Sequence, residues 1–122
     1  MIGIKLLFLT IFTLADVSQS QHFSPGAVKP LNGPNLESAV RRLSSALKNV
    51  ASGGGPNYEI LKVNFATTQV VQGTLDTYNV KLTQGGVIKK CEVKIWSQPW
   101  MSKGGNNIKI ACNGQLETDV TL

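Results

Sequence analysis

The sequence predicts an α+β fold, in which one long helix packs across an antiparallel sheet of about five strands. Two patterns support this fold class. Between residues 36 and 50 the apolar side chains recur at helical spacing, as one stripe of an amphipathic helix. From residue 61 onward, apolar and polar side chains alternate in separate runs, which is typical of half-buried strands. A Gly-rich run at residues 52–56 lies between the two patterns and ends the helix.

The N-terminus carries the three parts of a secretory signal peptide. Lys5 supplies a positive charge, a short apolar run follows, and Ser18 and Ser20 are the small residues of a cleavage site. A buried helix or a membrane anchor would also account for the apolar run, but the run is short for a bilayer span. We predict a signal peptide at 1–20 and a secreted domain at 21–122, which has 122 − 20 = 102 residues. The rest of the sequence has no run long enough to cross a membrane, so we expect no membrane anchor after cleavage.

The secreted part begins with a Gly- and Pro-rich segment. Residues 28–31 are predicted to form a short edge strand, because Pro30 excludes a central one. Asn35 is the predicted helix cap, and Glu37 is expected in the first turn. Alternation then predicts four meandering strands, with the last of them ending the fold, around residues 60–65, 74–82, 91–95 and 108–112.

Cys91 and Cys112 are the only cysteines and are 112 − 91 = 21 residues apart. In a secreted chain such a pair most simply forms a disulfide. Both share the parity of the aliphatic residues in their strands, so two adjacent antiparallel strands would bring them face to face. The alternatives are a metal site and a nucleophilic thiol, but both would depend on His22, which lies almost at the new N-terminus. We therefore expect no metal and no other cofactor.

The chain is basic, with a net charge of +5 and an isoelectric point of about 9.4. Removal of the signal peptide takes away one Lys and one Asp and leaves the net charge unchanged. The remaining Lys and Arg are scattered along the sequence, with only Arg41-Arg42 and Lys89-Lys90 adjacent. We interpret them as a solvated surface and not as a nucleic-acid or heparin patch, and we expect no nucleic-acid partner.

Two of the predicted turns carry apolar side chains, where turns normally carry glycine or polar residues. Val70 and Val71 occupy the first turn and Trp100 the third. In a simple meander these two turns lie at the same end of the sheet, so we expect their side chains side by side. Burying such a side chain against another protein is worth roughly 1.5–3 kcal/mol, and Trp is a favoured interface anchor. The alternative is that the valines begin or end strands and that Trp100 folds back on its own sheet.

These motifs resemble those of the cystatins, which inhibit papain-like cysteine proteases. Residues 69–73, Gln-Val-Val-Gln-Gly, are similar to the Gln-Val-Val-x-Gly motif of that family, and Pro99-Trp100 is similar to the Pro-Trp of its second hairpin. Gly26 stands where the family's N-terminal glycine stands, and the two cysteines resemble the C-terminal disulfide of secreted cystatins. Residues 66–71 and 95–100 look closest to secreted insect cystatins of the sarcocystatin type. The resemblance covers essentially the whole secreted part.

The resemblance implies a cystatin-like fold with a curved sheet, and a monomer that inhibits its target tightly, reversibly and competitively, without productive cleavage. An N-terminal trunk and two hairpin loops would form a wedge that enters the active-site cleft of papain- or cathepsin L-type proteases. The trunk would follow the non-primed pockets, and the hairpins would cover the primed side. The residues that the resemblance places against the protease are Pro25, Gly26, Gln69, Val70, Val71, Gln72, Gly73, Pro99 and Trp100.

The sequence departs from the family's pattern in three places. Secreted vertebrate cystatins have two disulfides, whereas only one is possible here. The loop after the helix, residues 52–57, lacks the Ser-Asn-Asp pattern of a second site against legumain, so that activity is not implied. Pro25 precedes Gly26 where an aliphatic residue such as Val is usual, which leaves the target preference open.

Two other classes of function, a binding protein and an enzyme, are alternatives to an inhibitor. A non-inhibitory secreted binding protein of the same fold would use its basic surface to bind anionic partners or microbial membranes, and its binding would be salt-sensitive. An enzyme would need catalytic groups, but His22 lies near the terminus and the Asp and Glu residues form no obvious pair. We therefore expect no enzymatic activity.

Overall fold

A computed structural model describes residues 27–101 and 104–122. Within these residues, six antiparallel strands form one sheet in sequential order, and one helix packs across a face of it. The elements are, in chain order, β1 (Lys29–Pro30), α1 (Gly33–Ser52), β2 (Tyr58–Val71), β3 (Gly73–Gln84), β4 (Val87–Ser97), β5 (Asn106–Cys112) and β6 (Gln115–Thr121). The predicted α+β class and the short edge strand are confirmed. The predicted signal peptide and His22 lie outside the described residues.

Helix α1 presents the predicted apolar stripe to the sheet. Five of its residues are buried at the spacing that a 3.6-residue period requires: Ala39, Leu43, Ala46, Leu47 and Val50. They pack in one core with the inward-facing side chains of the sheet, among them Val80, Leu82, Val93, Ile108 and Ile110. No helix of the described residues has both the length and the apolar character that crossing a membrane would require.

A buried tyrosine also bonds the helix to the sheet. The hydroxyl of Tyr78 in β3 donates a 2.8 Å hydrogen bond to the backbone carbonyl of Ala39 in α1. Burial raises the pKa of Tyr78 far above the ordinary range of a phenol, and the nearby Asp76 carboxylate adds to the shift. The hydroxyl therefore keeps its proton, and with it the hydrogen bond, at neutral pH.

The helix begins earlier than the sequence analysis predicts. Asn32 is the N-cap in extended conformation, and the helix starts at Gly33. Pro34 suits the first turn, because no backbone N–H is required there and its fixed φ already matches the helix. The predicted cap at Asn35 and the placement of Glu37 in the first turn are therefore wrong.

Strand β6 is a further strand that the sequence analysis did not predict. It follows β5 through a two-residue turn at Asn113 and Gly114, whose φ angles are both positive, 53° and 80°. Positive φ at both positions is characteristic of the tightest hairpins, and Asn-Gly is their preferred sequence. The strand itself is hard to recognise, because only two of its residues, Leu116 and Val120, are apolar. A register shift beside Ile110 also interrupts its pairing with β5. The last predicted strand, which ends at Cys112, is therefore not the final one.

The two cysteines form the predicted disulfide. Cys91 in β4 and Cys112 in β5 are direct partners in the strand register, and their sulfur atoms are covalently bonded. Both are buried on the side of the sheet that faces the helix. The bond fixes β4 against β5 near the end at which the β5–β6 turn lies, and it closes the loop between these two strands.

A polar cluster links the first long strand to the last. The ammonium group of Lys89 donates hydrogen bonds to both carboxylate oxygens of Glu117, at 3.1 and 3.0 Å. The hydroxyl of Tyr58 in β2 lies 3.0 Å from Glu117 and 3.1 Å from the hydroxyl of Thr118 in β6. The hydrogen bond from Lys89 lowers the pKa of Glu117, and the one from Tyr58 lowers it further.

We expect loss of the disulfide to destabilise the fold without changing it. In the chain-entropy model, closing a loop of 21 residues stabilises by about 3 kcal/mol. The double variant Cys91→Ser, Cys112→Ser should therefore lose about 3 kcal/mol of unfolding free energy in urea titrations. Reduction of the wild-type protein should raise its mass by two hydrogens. Two reactive thiols in the native secreted protein would contradict the assignment.

We also expect the Lys89–Glu117 pair to make stability depend on pH. Because the folded pKa of Glu117 is lowered, its contribution is complete above the ordinary glutamate value of about 4.3. It is lost as the pH falls through the lower folded value. Melting temperatures between about pH 6 and about pH 3 should fall more for wild type than for Glu117→Gln. Lys89→Gln should flatten the profile in the same way, and an unchanged profile in both variants would rule out this linkage.

Candidate functional site

The first loop, residues 70–73, turns within a single residue. Strand β2 ends at Val71 and β3 begins at Gly73, so Gln72 alone connects them. The two valines are thus the last residues of a strand, as the alternative interpretation had it. Their side chains nevertheless remain exposed, Val70 by 60% and Val71 by 41%.

Gly73 is required at its position for two reasons. Its φ is +91°, in the region that residues with a Cβ rarely adopt. A Cβ at this position would also collide with the backbone carbonyl oxygen of Ser97 and would lie 3.4 Å from the ring of Trp100. The first loop therefore lies directly against the end of β4, and glycine permits this approach.

The second loop, residues 98–105, connects β4 to β5. It is closed by a 2.6 Å hydrogen bond from the backbone N–H of Gln98 to the carbonyl of Gly105. Pro99 is exposed, and the exposed fractions of Trp100 and Met101 are 61% and 44%. Trp100 thus stays largely exposed, although its ring also lies near Gly73 at the start of β3.

The structure brings the two loops together as predicted. Thr74 at the start of β3 is the register partner of Ser97 at the end of β4, so both loops emerge from the same end of the sheet. Together they present an apolar edge, which we call the loop edge, formed by Val70, Val71, Pro99, Trp100 and Met101. Gln69 is half-buried in β2 beside this edge, and Gln72 is exposed at its tip.

Trp96 is a site residue that the sequence analysis missed. Its indole N–H donates a 2.7 Å hydrogen bond to the backbone carbonyl of Gln72, which holds the single-residue turn in place. Its ring also helps line a cavity of about 220 Å³, together with Val71 and Leu75. The sequence offered one signal for it: Trp96 is an aromatic residue that shares the side of β4 with Lys90, Glu92 and Lys94, next to a loop.

The N-terminal segment approaches the loop edge as well. In the antiparallel pairing of β1 with β2, Lys29 lies opposite Thr68 and Pro30 opposite Thr67. Residues that precede Lys29 therefore continue toward Val70. Pro25 and Gly26 lie outside the described residues, so their predicted place at this edge stays a prediction.

The chemistry of the loop edge suits binding. The five side chains of the loop edge are apolar, and the described residues beside them, Gln69 and Gln72, carry amides. No group of His, Cys, Asp and Glu capable of holding a metal ion occurs in the part of the chain that the structure describes. What the edge offers a partner is exposed apolar area, worth roughly 1.5–3 kcal/mol for each large side chain that becomes fully buried.

Comparison with known proteins places these features in a family. The chain is 39% identical over 109 residues to a Drosophila melanogaster protein named cystatin-like protein, over 89% of this chain and 86% of the relative. It is 36% identical over 111 residues to sarcocystatin-A of Sarcophaga peregrina, over 90% of each chain. No family model matches the sequence, and no solved structure matches it significantly.

A third similarity is confined to part of a larger protein. The chain is 34% identical over 80 residues to cathepsin F of Drosophila melanogaster, over 65% of this chain but only 13% of that protein. Such a partial match does not extend the larger protein's activity to this chain. The two full-length similarities agree with the fold and with the resemblance of the two loops. The chain therefore belongs to the cystatin superfamily, a family of protease inhibitors and not of enzymes.

Proposed function

We propose that residues 21–122 form a secreted, reversible and tight-binding competitive inhibitor of papain-like cysteine proteases. The observation that carries this proposal is the loop edge, where two adjacent loops expose Val70, Val71 and Trp100 although each loop is held by internal hydrogen bonds. Exposing these apolar side chains to water is unfavourable, and in a member of this family a protease cleft would bury them.

The conformation of the first loop is fixed in the free protein, before a partner binds. The indole N–H of Trp96 fixes the carbonyl of Gln72, and the close approach of Gly73 to Ser97 leaves the first loop little freedom. A surface that is ordered in the free protein loses less entropy on binding, so more of its apolar burial contributes to affinity. Tight inhibition is therefore compatible with a small contact area.

The N-terminal trunk is the third part of the proposed wedge. Residues 21–26 would extend the direction of β1 past Val70 and into the non-primed side of the cleft. Gly26 would let the backbone bend away from the catalytic cysteine of the protease, since glycine adopts conformations that other residues avoid. Pro25 has a fixed φ and a short side chain, so it would suit some specificity pockets better than others.

Secretion is supported by two features of the chain. The first twenty residues have the pattern of a signal peptide, and disulfides such as Cys91–Cys112 persist mainly in oxidising compartments outside the cytosol. We accordingly propose extracellular papain-like proteases, of the papain and cathepsin L type, as the partners of a monomeric inhibitor.

We expect the mature protein to inhibit papain stoichiometrically and to leave trypsin unaffected. Trp100→Ala should weaken inhibition by about 1–3 kcal/mol, mostly through faster dissociation, as for a buried aromatic anchor. Val70→Ser should weaken it as well, because the serine hydroxyl would enter an apolar contact. The measurements are inhibition constants and dissociation rates for papain and a cathepsin L-type enzyme.

Val87→Ser is the matched control for Val70→Ser. Val87 is exposed by 57%, close to the 60% of Val70, but it lies at the start of β4, at the opposite end of the sheet. Its substitution should leave inhibition unchanged. Full papain activity at micromolar inhibitor, or equal losses in the two serine variants, would refute the proposed role of the loop edge.

We expect Trp96 to act by positioning the first loop. Trp96→Phe retains an aromatic ring but removes the indole N–H that bonds Gln72. Loss of one hydrogen bond of about 0.5–1.5 kcal/mol should raise the inhibition constant roughly 2- to 10-fold. Backbone hydrogen exchange at Gly73 should become faster in the free protein. If only Trp96→Ala weakens inhibition, packing of the ring and not the hydrogen bond positions the loop.

A further inference from the structure

Three lysines lie side by side on the face of the sheet that the helix does not cover. In the strand register Lys62 of β2 is the direct partner of Lys81 of β3, and Lys81 is the direct partner of Lys90 of β4. Their inward-facing neighbours Val80 and Cys91 are buried, so the lysines face the other side. We call these three residues the lysine row.

The lysine row is unfavourable for the isolated fold. Side chains directly opposite in an antiparallel pair have Cβ atoms about 4.5–5.5 Å apart, and like charges there repel each other. Within the described residues, none of the three ammonium groups has a hydrogen bond or an ion pair to offset the repulsion. The row therefore concentrates positive charge that the fold itself does not use.

Other lysines of the sheet do have acidic neighbours. Lys89 is held by Glu117 at 3.0 Å, and Lys94 lies 3.9 Å from Glu92. Lys109 has Asp119 as its direct partner in the strand register. The three lysines of the row have neither an ion pair nor an acidic register partner, although Glu92 lies near Lys81 and Lys90.

The row borders an open groove of about 610 Å³ on the same face. Its lining includes Lys81 and Lys90, the acidic Glu92, Asn64 and Asn79, and Gly114 of the β5–β6 turn. The two asparagines share a 2.7 Å hydrogen bond from the amide of Asn64 to the carbonyl oxygen of Asn79. This bond leaves the carbonyl oxygen of Asn64 and the amide of Asn79 available to hydroxyl groups.

We propose that the lysine row and this groove bind a sulfated polysaccharide. Neighbouring strands lie about 4.8 Å apart, so the outer two lysines are separated by about 10 Å across the sheet. A polymer with repeated sulfate groups can place several charges along that distance, and its hydroxyls can bond the asparagine amides. Such polymers are extracellular, in agreement with the secretion proposed above.

Other anionic partners fit these observations less well. Single-stranded nucleic acids depend on aromatic side chains for base stacking, and no aromatic residue lines the groove. A membrane surface is flat, whereas Lys81 is half-buried in the groove. The flanking apolar side chains Phe65 and Ile88 are exposed but do not line it. A flexible chain can enter the groove where a flat surface cannot.

This second surface is separate from the loop edge. Lys81 and Gly73 are 81 − 73 = 8 residues apart along the same strand, which corresponds to about 27 Å. A polysaccharide in the groove would therefore leave the loop edge free for a protease. Substitutions in the lysine row should change polysaccharide binding without changing protease inhibition.

The experiment measures binding of the mature protein to heparin, with desulfated heparin, an oligonucleotide and anionic phospholipid vesicles in parallel. Heparin should bind most tightly, and increasing salt should weaken it. Lys81→Gln should weaken heparin binding roughly 3- to 5-fold and reduce the salt dependence. Glu92→Gln removes a carboxylate from the groove lining and should strengthen binding by a similar factor.

Lys48→Gln is the matched control, because it removes the same charge from an exposed position on α1, on the other face of the sheet. It should change heparin binding less than 2-fold, roughly. All variants should keep the wild-type circular dichroism spectrum and melting temperature, which verifies their folding and keeps this test independent of the inhibitor proposal. Equal losses for Lys48→Gln and Lys81→Gln, no heparin binding at low salt, or tighter binding to vesicles or the oligonucleotide would overturn the proposal.

Discussion

The register between β3 and β4 is the constraint on which the rest of the structure depends. These strands pair without a bulge from Thr74 and Ser97 at one end to Gln84 and Val87 at the other. The two-residue turn between them fixes that register, and a slip by one residue would move every side chain to the opposite face. The same register buries Val80 beside Cys91, brings Ser97 against the first loop and places Lys81 beside Lys90. Parts of the core, the loop edge and the lysine row thus follow from this one pairing, and the β2–β3 pairing adds Lys62 to the row.

Much of the fold could be predicted because its signals are local. The stripe from Leu36 to Val50 repeats at a single period, and a Gly-rich run ends it without ambiguity. The placement of Val70 and Trp100 at one end of the sheet needs only the order of the strands, since every second turn of a meander falls at the same end. The disulfide follows from parity and chain order as well. Each of these inferences is independent of the exact register.

The features that were not predicted depend on register or on a competing local signal. Asn32, not Asn35, occupies the N-cap position, which leaves Pro34 in the first turn, where proline is accommodated. Two asparagines so close together give similar capping signals in the sequence. Strand β6 has a strong turn signal but a weak strand signal, because only Leu116 and Val120 in it are apolar. The contact of Trp96 with Gln72 and the grouping of Lys62, Lys81 and Lys90 join residues far apart in sequence. Only the pairing of strands reveals them.

Binding at one of the two proposed surfaces should not change binding at the other, because they lie far apart along β3. Charges on the lysine row lie about 27 Å from Gly73 along β3, which is several times the screening length of about 8 Å at physiological ionic strength. An anion in the groove would therefore exert little direct electrostatic effect on the loop edge. A mechanical effect would have to pass along β3, which is paired on both sides over its length and anchored to the helix through Tyr78. Pairing on both sides and the bond to the helix oppose a second arrangement of β3, so we expect neither ligand to change the affinity for the other.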